Sequence, residues 1–233
     1  ANTCLGFQTL NSNTSGSDNT ATGYQALYLN NAGSNNAAFG MGSLYSNATG
    51  NYNTANGNYA LFSNVAGSAG VAMGYYSQFY ANNTATPWDN TNTSIGYQSL
   101  MGSTTPANNT GTGNTAVGRN ALYSNTSGYS NNALGYRALY TNSTGYSNTA
   151  TGQGALYQNT TGNQNTATGS RALYSNTSGS YNTAYGRDAL YSNTTGYYNT
   201  ANGISALYFN TDGYKNTANG AGALFNNTTG YNN

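Results

Sequence analysis

Gly135, Gly152, Gly169, Gly186, Gly203 and Gly220 fall seventeen residues apart, and so do Gly145, Gly162, Gly179, Gly196, Gly213 and Gly230. A fixed period of this length demands a repeat architecture, because each unit is too small to bury a core of its own and must stack on its neighbours. Thirteen units begin at Asn2, Asn19, Asn36, Asn53, Gly70, Asn92, Asn114, Asn131, Asn148, Asn165, Asn182, Asn199 and Asn216. Eleven are seventeen residues long; the two over 70–91 and 92–113 carry five more each. The units use all of 1–233 except Ala1 and Asn233, so a single repeat array is expected, with no linker.

Within the unit, residue size follows phase. The third position is small throughout (Cys4, Ala21, Ala150, Ala218), and so is the eighth (Ala26, Ser43, Ala155, Ala223). The ninth is Leu everywhere except Gln78, and the tenth is aromatic or Met except at Asn11. Selection for size at fixed phase marks a confined interior. Leu122, Leu139, Leu156, Leu173, Leu190 and Leu207 are therefore the expected core. Thr-Ala-x-Gly alternates and reads as a strand with Ala inward. Ala-Leu-Tyr does not alternate, and reads as a second strand covered on both faces. The coil is narrow, so the second cover is expected to be neighbouring copies of the chain. In the second corner, Asn-Thr-Thr-Gly reads as a turn whose Gly takes positive φ. The repeated leading Asn, absent only at Gly70, predicts a ladder of amides bonded coil to coil. The expected fold is an all-β parallel β-solenoid of thirteen coils.

Composition narrows the function. Charged residues are 4% of the chain and the net charge is +1, which leaves no field to gather nucleic acid. There is no His and no Glu; Asp18, Asp89, Asp188 and Asp212 are scattered. Neither a general acid–base pair nor a clustered ligand set can be assembled from them, so no enzyme activity, metal or cofactor is expected. The repeated Gly turns lack the Lys-Ser or Lys-Thr of a phosphate loop. Cys4 takes a slot that is Ala elsewhere and reads as a small packing residue. No run of eighteen apolar residues is present to cross a membrane as a helix. The sequence both starts and stops inside the repeat, so continuation of the array or end-to-end stacking is expected.

The units Asn92-Thr-Ser-Ile-Gly96 and Asn114-Thr-Ala-Val-Gly118, with the following x-x-Ala-Leu-Tyr, resemble the head repeats of trimeric autotransporter adhesins. The fuller pattern Asn-Thr-Ala-x-Gly-Tyr-x-Ala-Leu-Tyr-Ser-Asn-Thr-Thr-Gly is similar to repeats of phage tail fibres and related surface fibres. The resemblance covers essentially the whole chain, although the unit is longer than the adhesin head repeat and no neck, stalk or anchor accompanies it. It implies a left-handed β-roll, three identical chains together, and an extracellular place on a cell or virion surface.

Three surface features extend this reading. Trp88, Tyr129, Tyr146, Tyr197, Tyr198 and Tyr214 gather at corners and in an inserted loop, where flat rings can hold sugars or touch another fibre. Asn125, Asn142, Asn159, Asn176 and Asn193 each open an Asn-x-Ser/Thr sequence, either a row of glycan acceptors or turn-forming residues. The array Thr149, Thr166, Thr183, Thr200 and Thr217 resembles the threonine ranks of ice-binding solenoids, but Ala37, Val71 and Asn132 interrupt it. The expected function is a stiff, neutral fibre segment partnered by identical chains, as a homotrimer or an end-to-end polymer. Recognition of surface glycans is the alternative, and ice binding a minor one.

Overall fold

The computed structural model describes residues 1–233 and is a parallel β-solenoid of about thirteen coils, all-β apart from one 3-10 turn at Pro106–Asn108. It divides into two compact units, Ala1–Arg119 and Asn120–Asn233. In the first, the strands Thr3–Leu5, Thr20–Thr22, Ala37–Phe39, Thr54–Asn56, Val71–Met73, Thr93–Ile95 and Thr115–Val117 pair in parallel, one per coil. The second contains Asn132–Leu134, Thr149–Thr151, Thr166–Thr168, Thr183–Tyr185, Thr200–Asn202 and Thr217–Asn219 in the same arrangement. Register is strict: Ala150 faces Ala167, and Ala167 faces Ala184. Each of these alanines has no exposed surface, whereas Thr149 and Thr151 on the other face are half-buried.

Ala-Leu-Tyr is not a strand. Ala155 N–H bonds to Gly152 O at 3.3 Å and Asn159 N–H to Leu156 O at 3.2 Å, so two tight turns abut here. Leu156 sits between them at φ 51°, and every ninth-position residue shares this left-handed conformation, from Leu10 at 49° to Leu224 at 50°. A leucine there costs roughly 1–2 kcal/mol of backbone energy. The reversal removes the alternation of a strand, which is why two consecutive residues, Ala155 and Leu156, are both fully buried. Burying a leucine side chain contributes about 1.5–3 kcal/mol, enough to offset the backbone term. Leu122, Leu139, Leu173, Leu190 and Leu207 are buried in the same way. The backbone still bonds outward along the stack, with Leu156 N–H to Ala172 O at 3.0 Å and Gln158 N–H to Tyr174 O at 3.0 Å.

The second corner also differs from expectation. Gly145 is outside the left-handed region; the positive φ belongs to Ser147, at 55°. Gly145 is glycine for want of space. A Cβ there would lie 2.4 Å from Asn142 Oδ1 and 2.5 Å from Gly162 O. Three successive N–H groups, of Ser143, Thr144 and Gly145, converge on Thr160 O at 3.0, 3.1 and 3.2 Å, drawing the coils this close. At the first corner, by contrast, glycine is needed on both counts: Gly152 has φ 129°, and its Cβ would stand 2.6 Å from Gly169 O.

Candidate functional site

The most repeated polar chemistry in the chain is internal. The leading asparagines form one ladder: Asn165 donates from its backbone to Asn148 Oδ1 at 3.0 Å, and from its amide to that oxygen at 3.2 Å and to Gly179 O at 2.8 Å. A second ladder lies at the other corner, where Asn159 Nδ2 donates to Asn142 Oδ1 at 2.8 Å and to Gly162 O at 3.0 Å. Asn125, Asn142, Asn159, Asn176 and Asn193 are its members, and all are buried. Among them, both amide hydrogens of Asn142, Asn159, Asn176 and Asn193 are engaged. The folded coil thus uses these side chains for turn and ladder bonding, and none is presented as an open glycan acceptor.

The long coils repair what their sequences omit. Gly70 has no side chain to continue the first ladder, and its N–H alone reaches Asn53 Oδ1 at 2.9 Å. The space is taken by Asn90, whose Nδ2 would stand 2.5 Å from a Cβ on Gly70. Asn90 Oδ1 then accepts from Asn92 at 2.8 Å, and the series resumes. Gln78, the one non-leucine in the ninth position, donates to Val71 O at 2.9 Å and Ser94 Oγ at 3.0 Å while accepting from Asn90 at 3.0 Å. Ser77, Ser94 and Ser99 complete a buried polar core. The second ladder has no such repair. Ala81 takes the next asparagine slot, and Asn64 Oδ1 is left buried without a donor.

The aromatic candidates are ordered into columns. Tyr123, Tyr140, Tyr157, Tyr174, Tyr191, Tyr208 and Phe225 stack one ring per coil, with centroids 4.9–5.2 Å apart. Tyr28, Tyr45, Phe62 and Phe79 do the same in the first unit. At the second corner Tyr129 stacks on Tyr146 at 4.8 Å and 2°, and Tyr197 on Tyr214 at 5.0 Å and 3°. Tyr198 lies against Tyr181 at 4.7 Å and edge-on to Tyr197. A ring stacked on both faces, such as Tyr157 or Tyr214, offers solvent its edge and hydroxyl, whereas Tyr129 and Tyr146 have one stacked neighbour each. Trp88 belongs to a short strand. Its strand Trp88–Asp89 pairs with Gly67–Ser68, the residue is half-buried, and its Nε1 would lie 2.7 Å from a Cβ on Gly67.

Charge collects in one place in the second unit. Asp188 lies at the first corner and is nevertheless only 4% exposed. Arg171 meets it twice, Nε to Oδ1 at 2.8 Å and Nη2 to Oδ2 at 3.0 Å, and Arg187 Nε approaches Oδ2 at 3.2 Å. Beside this group lies a notch of about 160 Å³ lined by Tyr136, Arg137, Gln153, Gly154, Tyr157, Arg171 and Tyr174. Arg137 and Arg171 share the seventh position of their units, and Gly154 between them breaks that column of side chains. No three His, Cys, Asp or Glu side chains gather anywhere, and no helix is long and apolar enough to cross a membrane. No family model, curated protein or solved structure matches the chain.

Proposed function

We propose that the chain is a segment of an extracellular fibre, a stiff and nearly neutral spacer on a cell or virion surface. The observation that carries this reading is the double asparagine ladder. Each regular coil of the second unit joins its neighbours through two buried amides, a three-fold N–H convergence and its strand bonds, so mechanical continuity is the property the repeated residues serve. A purely globular role would not require the same amide at the same phase in coil after coil.

Identical chains are the proposed partners, as a left-handed homotrimer like the fibres that the Asn-Thr-Ser-Ile-Gly96 type of unit resembles, or as an end-to-end polymer. The half-buried column from Tyr123 to Tyr208 supports lateral partnership, since it is a continuous semi-apolar strip that a neighbour can cover. The test is the particle itself. Mass in solution, combined with electron microscopy of the purified chain, should give rods or filaments of about three chains in cross-section. A monodisperse globular particle of one 24.2 kDa chain would remove the proposal.

A further inference from the structure

The notch at Gly154 is the one place in the second unit where a column of side chains is interrupted and cationic groups border the gap. In consecutive coils the seventh position holds Arg137, Gly154, Arg171 and Asp188, all with φ between 56 and 64°. The equivalent gap in the first unit, at Gly42, is closed: Tyr59 of the following coil folds over it, its ring 2.7 Å from where a Cβ would be. At Gly154 the following coil has arginine, and Arg171 is drawn the other way, to Asp188 and over the ring of Tyr191 at 5.4 Å. The gap is therefore looser than at Gly42, with the Tyr174 ring edge 3.3 Å and the Arg171 stem 3.8 Å from the missing Cβ.

On the other side, Arg137 has no carboxylate within ion-pair distance. Its guanidinium is held over Tyr136 at 5.0 Å and Tyr140 at 5.3 Å, and its Nε is buried without a hydrogen-bond partner. A buried, unpaired guanidinium donor costs free energy that an anion would recover. The remaining lining, Gln153, Tyr157 and Tyr174, is neutral and consists of residues whose side chains carry hydrogen-bonding groups. The space equals that of about five waters, below the range of drug-sized pockets. The chain has little of its own to put there. It has four carboxylate side chains, of which Asp18 pairs with the Ala1 ammonium, Asp188 with arginine, and Asp212 accepts from Thr194 and Thr195.

We propose that this notch binds the carboxylate of one acidic monosaccharide unit, with Arg137 as the anion's partner and Gln153 and the tyrosine hydroxyls taking sugar hydroxyls. The assignment does not need the fibre reading, but it requires that a neighbouring chain leave Tyr157 and Tyr174 uncovered, since both line the notch and belong to the tyrosine strip. It differs from ring-face stacking in resting on an ion pair.

The experiment is a nuclear magnetic resonance titration of the full chain with glucuronate, glucose and acetate as separate probes. Glucuronate should saturate, perturbing Gln153 and Tyr174, at least tenfold more tightly than either glucose or acetate, and should weaken as salt is raised. Gly154→Gln places in the gap a residue that the same position already holds at Gln25 and Gln98, with the Tyr174 ring giving way by a few tenths of an ångström to admit its Cβ. That variant and Arg137→Gln should each lower glucuronate affinity tenfold or more, and the exposed Gln153→Ala about threefold. Absence of saturation, equal binding of glucuronate and acetate, or unchanged affinity in Gly154→Gln would overturn the proposal. If Arg137→Gln does not fold, the Gly154 and Gln153 variants decide the matter.

Discussion

Asn148 Oδ1 accepts two hydrogen bonds from one residue, Asn165, through its backbone N–H at 3.0 Å and its side-chain amide at 3.2 Å. The same amide spends its other hydrogen on Gly179 O, fourteen residues further on. One side chain thereby ties its own coil to the preceding one and fastens the second corner of its own coil. Asn165→Ala would take Asn165 Oδ1 from the buried backbone N–H and side-chain amide of Asn182, whereas Gly179 O keeps its bond from Asn176 and Asn148 Oδ1 keeps one donor. At about 1–3 kcal/mol for each buried deficit, the expected loss is roughly 2–4 kcal/mol. Denaturant unfolding of the variant measures it, and a loss below 0.5 kcal/mol, the ordinary surface value to within about that much, would show the ladder to be ornamental.

Leu156 and Thr151 test the assignment of inside and outside. Leu156 is fully buried, so Leu156→Ala should cost about 2–5 kcal/mol unless the coil can collapse. Thr151, on the opposite face of its strand from the core, should tolerate alanine within about 0.5 kcal/mol. Equal losses at the two positions would mean the faces are reversed.

Gly145 and Ser147 should respond in opposite directions although both lie in one corner. Gly145→Ala would press a methyl against Asn142 Oδ1 and Gly162 O, so about 3 kcal/mol or more should be lost. Ser147 is exposed at φ 55°, and Ser147→Gly should relieve about 1 kcal/mol of left-handed strain. A thermal melt of each variant separates these outcomes, and a stabilising Gly145→Ala would contradict the close approach of the coils.

These cases show what was readable before the structure. The period, the small third position at Ala150 and the buried leucine at 156 follow from residue size at fixed phase. The left-handed backbone of Leu156 does not, because leucine carries no preference for it; only tertiary burial selects it there. Gly145 was recognisable as obligatory, but the sequence does not separate a glycine kept for its φ from one kept for its missing Cβ. The notch has even less signature. It depends on whether the residue after Gly154 in the column turns back, as Tyr59 does beyond Gly42, or away, as Arg171 does.

The tyrosine column should make stability sensitive to alkali. Burial, followed by the neighbouring Tyr157 and Tyr191, holds the Tyr174 phenol above its ordinary value, against a smaller opposing pull from Arg137 and Arg171. The folded chain then keeps this proton to higher pH than the unfolded chain, whose phenols ionise at about 10. The contribution is complete below that pH and is lost as pH rises from there through the folded value. Phenolate absorbance should lag in the native chain relative to the denatured one, and Tyr174→Phe should shorten the lag. Coincident titrations of the two states would refute it.

Gln78 yields the least intuitive expectation, because restoring the residue found at this phase in every other coil should do harm. Gln78→Leu would strip Asn90 Nδ2 of its acceptor and remove a donor from both Val71 O and Ser94 Oγ, all within the buried polar core of the long coils. Leucine supplies apolar area, but beside Ser77, Ser94 and Ser99 it meets hydroxyls instead of the alanine methyls that surround Leu156. Each stranded group costs about 1–3 kcal/mol, so the single variant should be destabilised by roughly 2 kcal/mol or more. Adding Ser94→Ala removes one of the stranded hydroxyls and should recover about 1 kcal/mol, a coupling that a double-mutant cycle reads directly. If Gln78→Leu instead raised stability, or if the two changes simply added, the polar core would be a tolerated irregularity and not a matched set.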